Sequence, residues 1–116
     1  MLPMITAVLT SYNEKSVASV RAQSVQTQVI VANYGDPPAH FQQTEANRWV
    51  SDNVVYWKTP KLSAVKAYYK NFALRSMFDY TSHFLFMEPG SVLEDGVLEV
   101  AMGVLAKPYV GAVYGD

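Results

Sequence analysis

Apolar residues fall along the chain in short runs, separated by polar stretches rich in turn formers. Met4 to Thr10 (MITAVLT) is nearly continuous in apolar and β-branched side chains, the pattern of a strand buried on both faces. A helix is predicted from Glu14 to Gln23, with Asn13 placed to cap it and Glu14 in its first turn, favourable for the dipole. Val17, Val20 and Val25 fall roughly on one face of that helix. Val29 to Ala32 reads as a second buried strand. It ends in Asn33-Tyr34-Gly35-Asp36-Pro37-Pro38, where Gly35 is expected to supply a positive φ.

Further along, Ala39 to Ser51 is expected as a polar helix with Phe41, Trp49 and Val50 as its apolar contacts, and Val54 to Trp57 as a short strand. Pro60 breaks the chain before a long helical segment from about Ser63 to Phe78, with Val65, Tyr68, Tyr69, Phe72 and Leu74 as packing candidates. His83 to Met87 is another buried strand, Glu88-Pro89-Gly90-Ser91 a turn, Asp95 to Leu105 a helix and Val110 to Tyr114 a last strand. Strands alternating with helices over short connections predict right-handed βαβ units around a mostly parallel sheet. The expectation is one α/β domain over residues 1–116. In such sheets ligands sit beyond the carboxyl ends of the strands, near a topological switch point. That singles out three loops: Ser11 to Glu14, Asn33 to Pro38 and Glu88 to Ser91.

Composition narrows the function classes. Nine Lys and Arg against ten Asp and Glu leave a formal charge of −1, without the basic footprint that nucleic acid requires. The absence of cysteine excludes disulfides, thiolate metal sites and a cysteine nucleophile. No apolar run is long enough to cross a bilayer, and Met1 to Thr6 has no basic n-region, so a cytoplasmic setting is the expectation. His40 and His83 stand outside any metal-binding spacing, and there is neither a G-x-x-x-x-G-K-[ST] loop nor a nucleophile elbow.

Four stretches, in order, resemble the N-terminal half of a family 2 glycosyltransferase of the GT-A type. Met4-Ile-Thr-Ala-Val-Leu-Thr-Ser-Tyr-Asn13 is similar to that family's opening strand and its P-T-Y-N turn. Val29-Ile-Val-Ala-Asn-Tyr-Gly-Asp36 is similar to I-V-V-D-D-G-S, and Ala67-Tyr-Tyr-Lys-Asn-Phe-Ala-Leu74 to A-x-x-R-N-x-A-L. Phe84 to Asp116 follows the pattern of strand, acidic turn, V-L-x-x-G-x-L-E helix and closing V-G-x-V-Y-G-D. The resemblance implies a Rossmann-like, truncated GT-A sheet flanked by helices that binds a nucleoside-diphosphate sugar.

On that resemblance Ser11, Tyr12 and Asn13 would line base and ribose, and Asn33 would take the place of a base-contacting aspartate. Lys70 would stand at the family's phosphate-contacting arginine, without its bidentate fork. The family's L-D-x-D, which holds Mn2+ or Mg2+ on the diphosphate, falls on Met87-Glu88-Pro89-Gly90. Glu88 is then the one carboxylate left, which cannot rebuild a two-carboxylate site but would support a weak, substrate-assisted one for Mn2+ or Mg2+. Each residue also has a plain structural reading: Asn13 as a helix cap, Asn33 and Gly35 as turn residues, Lys70 and Glu88 as surface charges. The family's acceptor half follows Y-G-D, where this sequence reaches Asp116. The strand Val110 to Tyr114 is therefore expected to be covered by a second copy or another protein. Two functions follow as expectations. One is a non-catalytic module binding a nucleotide, a nucleotide sugar or a protein; the other is an active small glycosyltransferase whose acceptor site another subunit completes.

Overall fold

The computed structural model describes residues 5–60, 83–107 and 110–113. Four of the apolar runs pair with one another in one sheet. β1 (Ile5–Leu9), β2 (Thr27–Asn33), β5 (Val54–Lys58) and β6 (His83–Phe86) lie side by side and parallel, and β3 (Gln42–Glu45) and β4 (Arg48–Ser51) extend the sheet antiparallel beyond β5. The order among the described residues is β3-β4-β5-β2-β1-β6, so β6 pairs on one side only, and where a buried strand is expected Phe84 and Phe86 are 42% and 46% exposed. Where a mostly parallel sheet is expected, the sheet is mixed.

Register assigns the side chains to faces. Ala7, Leu9, Val29, Val31, Val54 and Tyr56 share one face with Leu85 of β6. Against it packs helix α1 (Glu14–Arg21) through Val17 and Val20, with Phe41, Trp49 and Met87 completing the cluster. On the other face Val8, Ile30, Ala32 and Val55 are each no more than 1% exposed, so neither face is open to water along the sheet's centre. The one polar pair there is satisfied internally, Gln28 Nε2 donating to Thr6 Oγ1 at 2.9 Å.

Helix α1 begins where expected. Asn13 is extended (φ −141°), and its Oδ1 accepts from the Ser16 N–H at 3.0 Å, a cap worth about 1 kcal/mol. The helix ends at Arg21 rather than Gln23, so Val25 lies beyond it, half-buried, and is not part of its apolar face. Helix α2 (Val97–Leu105) starts after Gly96, whose φ of 77° is left-handed, and buries Leu98.

Two expected elements are corrected. The polar helix over Ala39 to Ser51 is the β3–β4 hairpin: Trp49 pairs with Tyr56 and Val50 with Val55, so the two apolar residues go to opposite faces of the sheet. Residues 110–113 of the expected last strand are not in a strand; the Val110 N–H donates to the Lys107 carbonyl at 3.1 Å. Small Gly111 and Ala112 bring little side chain to a sheet. The expected helix from Ser63 to Phe78, with Lys70 in it, and Tyr114 lie outside the described residues. No described helix is long and apolar enough to cross a membrane.

Candidate functional site

Helix α1 carries the chain from β1 to β2 on one side, whereas β6 lies against β1 on the other. The order β5-β2-β1-β6 therefore changes direction at β1, which makes the carboxyl ends of β1 and β6 a topological switch point. Because β2, β1 and β6 are parallel neighbours, the loops that follow them open on the same rim. Hydrogen bonds tie the three loops into one wall.

The first link is Asn33, the last residue of β2. Its Nδ2 donates to the Thr10 carbonyl just beyond β1, and its Oδ1 accepts from the Gly35 N–H at 2.9 Å. Its own carbonyl accepts from the Thr59 N–H at 2.8 Å, joining the end of β5 to the same knot. Asn33 thus holds the turn, and its amide has one lone pair and one N–H left over for a ligand. Gly35 does not take the expected positive φ. A Cβ there would meet Asn33 Oδ1 and Tyr56 Oη at 3.7 and 3.9 Å, ordinary contact distances. The Tyr56 hydroxyl donates to the Gly35 carbonyl; burial, aided by the charge of Asp36, pushes its pKa up to about 12. Lys58 Nζ lies 2.6 Å from Asp36 Oδ1 on the exposed outer turn and holds that carboxyl below its usual range.

The second link is aromatic. The Tyr12 ring meets Phe41 edge-on at 5.4 Å, and His40 stacks beside Phe41 at 4.9 Å. The Tyr12 hydroxyl donates to Glu14 Oε2, and burial together with that carboxylate raises its pKa to about 12. With Tyr34, 46% exposed, the rim offers flat rings with polar edges, surfaces on which a planar heterocycle stacks.

The third link joins β6 to α1. Ser16, fully buried, donates through Oγ to the Ser91 carbonyl at 2.6 Å and accepts from the Gly90 N–H at 2.9 Å. Gly90 itself has φ 95°, and its turn is closed by the Ser91 N–H on the Glu88 carbonyl at 3.1 Å. Glu88 is exposed at the end of β6 and is the one carboxylate of residues 87–91.

Among the described residues no three His, Cys, Asp or Glu side chains come together to hold a metal ion. Glu88 supplies a single carboxylate at the turn after β6, so Mg2+ or Mn2+ there would draw the rest of its shell from substrate phosphates and water.

Ser11, Tyr12, Asn13, Asn33 and Glu88 thus lie on three neighbouring loops of one rim, while Lys70 falls outside the described residues. Phe41 is expected from sequence as an apolar contact of a helix, not as part of the rim, and Ser16 is not singled out. Ser16 had a signal, a hydroxyl three residues after the Asn13 cap, but its partners are 74 and 75 residues away.

No family model, no curated protein and no solved structure matches the chain. The functional reading therefore rests on the rim itself.

Proposed function

We propose that the chain is a GT-A-like, family 2 glycosyltransferase-like module that binds a nucleoside diphosphate, or its sugar, at the switch-point rim without transferring the sugar. The observation that carries the reading is the reversal of strand order at β1, with three hydrogen-bonded loops at the carboxyl ends of β2, β1 and β6. In parallel sheets this is where ligands are taken up. Tyr12 and Tyr34 supply ring faces and edges for the base, and the spare N–H and lone pair of Asn33 suit an amide-like base edge. Glu88 and Gly90 at the acidic turn leave a departing diphosphate without the paired carboxylates that a metal-assisted transfer uses.

Binding is accordingly expected without metal. Thermal unfolding is followed with UDP, GDP and their sugars, each with and without manganese. At a hundredfold excess over Kd the ligand that fits raises the melting temperature by roughly 10 °C, with or without the metal. A rise that needs manganese, with release of free nucleoside diphosphate, contradicts the non-catalytic reading. No rise with any of these ligands contradicts nucleotide binding.

A further inference from the structure

Ser16 and Ser19 on α1, and Gln23 just beyond its end, each reach the stretch that follows β6. Ser19 Oγ accepts from the Leu93 N–H at 3.0 Å, and Gln23 donates to the Glu94 carbonyl at 2.9 Å and accepts from the Leu98 N–H at 3.2 Å. These are side chains doing what a neighbouring strand's backbone does elsewhere in the sheet. They fix a loop with no regular structure of its own.

Ser16 differs from the other two in what it joins. Its backbone N–H is the group capped by Asn13, in the loop after β1. Its hydroxyl holds Gly90 and Ser91, in the loop after β6. One buried residue is thereby bonded to both sides of the switch point, the loop walls after β1 and after β6. We infer that Ser16 is a positioning residue, a clasp that makes the two walls one body, so that a ligand gripped by the loop at Tyr12 and Asn13 finds the turn at Glu88 to Ser91 already in place. The ligand part of this inference rests on the nucleotide-binding reading; the clasp itself does not.

Without the hydroxyl, the Gly90 N–H and Ser91 carbonyl lose their partner and the first turn of α1 loses its anchor. The loop after β6 then has to be ordered at the moment of binding, which lowers affinity without removing any ligand contact. Ser19 serves as the comparison: its hydroxyl donates to the Ser16 carbonyl at 2.8 Å and holds the same stretch through Leu93, but bonds neither wall.

The test measures amide hydrogen exchange and UDP and GDP affinity for wild type, Ser16→Ala and Ser19→Ala. Exchange in Ser16→Ala is expected to rise about tenfold in residues 12–14 and 88–91 together, whereas in Ser19→Ala the rise is confined to the neighbourhood of Leu93. Nucleotide affinity falls about tenfold in Ser16→Ala and less than about twofold in Ser19→Ala. If Ser16→Ala does not fold, Ser16→Cys, which keeps the volume with a weaker donor, is read in its place.

Loosening of 88–91 with 12–14 unchanged overturns the clasp, as does an equal loss of affinity in both variants. If wild type binds neither UDP nor GDP, the proposed function fails and the exchange pattern alone decides the clasp.

Discussion

An aspartate at either Ile30 or Val31 is expected to leave the chain unfolded at 25 °C. The two residues are neighbours in β2 and point to opposite faces, and both are fully buried. Val31 sits in the cluster under α1, Ile30 in the cluster with Val8, Ala32 and Val55. Each substitution gives up about 2 kcal/mol of apolar burial. The uncompensated charge costs several kcal/mol more, and together these reach the ~5–15 kcal/mol by which domains are stable. Val100→Asp, at a side chain 68% exposed on α2, is the control and changes stability by less than about 1 kcal/mol. Circular dichroism through a urea titration reads all three. If Val31→Asp unfolds the chain and Ile30→Asp does not, the second face of the sheet is open and the description of its core is wrong.

Asn33→Asp is the second large effect, and its sign depends on pH. In the resemblance to family 2 glycosyltransferases an aspartate occupies this position. Here Asn33 Nδ2 donates to the Thr10 carbonyl while Oδ1 accepts from Gly35. A carboxylate keeps the second bond and turns the first into two oxygens facing each other, a cost of roughly 2–3 kcal/mol. Protonation restores a donor, so the folded state favours the neutral acid and the carboxyl pKa rises on folding. Since the folded state then binds more protons, the variant's stability is highest below the ordinary carboxyl range and falls as pH rises through the folded pKa. Urea midpoints at pH 3.5 and pH 7, each taken relative to wild type at the same pH, test this. A deficit no larger at pH 7 than at pH 3.5 shows that the Thr10 bond does not decide the choice of Asn.

What could be read from the sequence follows from where the signal resides. β1, β2 and β5 are short apolar runs because buried parallel strands have no polar side, and that pattern needs no tertiary information, whereas β6 is as apolar but lies at the edge of the described sheet with Phe84 and Phe86 exposed. The Asn13 cap was legible for the same reason: its partner, Ser16, is three residues away. The hairpin was not legible. Gln42 to Glu45 are all exposed and include good helix formers, so neither burial nor propensity betrays a strand. Its pairing is decided by Trp49 reaching Tyr56 and Val50 reaching Val55, contacts that only the folded sheet creates. The turn Asp52-Asn53 between β4 and β5, with Asp52 at φ 50°, is the local sign of that pairing.

The rim divides in the same way. Its loops could be located, because the carboxyl ends of parallel strands are implied by strand and helix order. The state of its side chains could not. Asn33 carries both a turn and a spare hydrogen-bonding capacity, and its partner Thr10 is 23 residues away. The hydroxyl of Ser16 joins α1 to a loop more than seventy residues later. Long-range hydrogen bonds of this kind leave no period in a sequence.

On the proposed function, the carboxyl-terminal rim of the parallel strands takes a nucleoside diphosphate at the switch point. Amide hydrogen exchange with and without saturating UDP or GDP tests it most directly. The account predicts simultaneous slowing in residues 11–14, 33–36 and 87–91, with no change in residues 25–27 and 53 at the opposite rim. Slowing at that opposite rim, or in none of these segments, contradicts it.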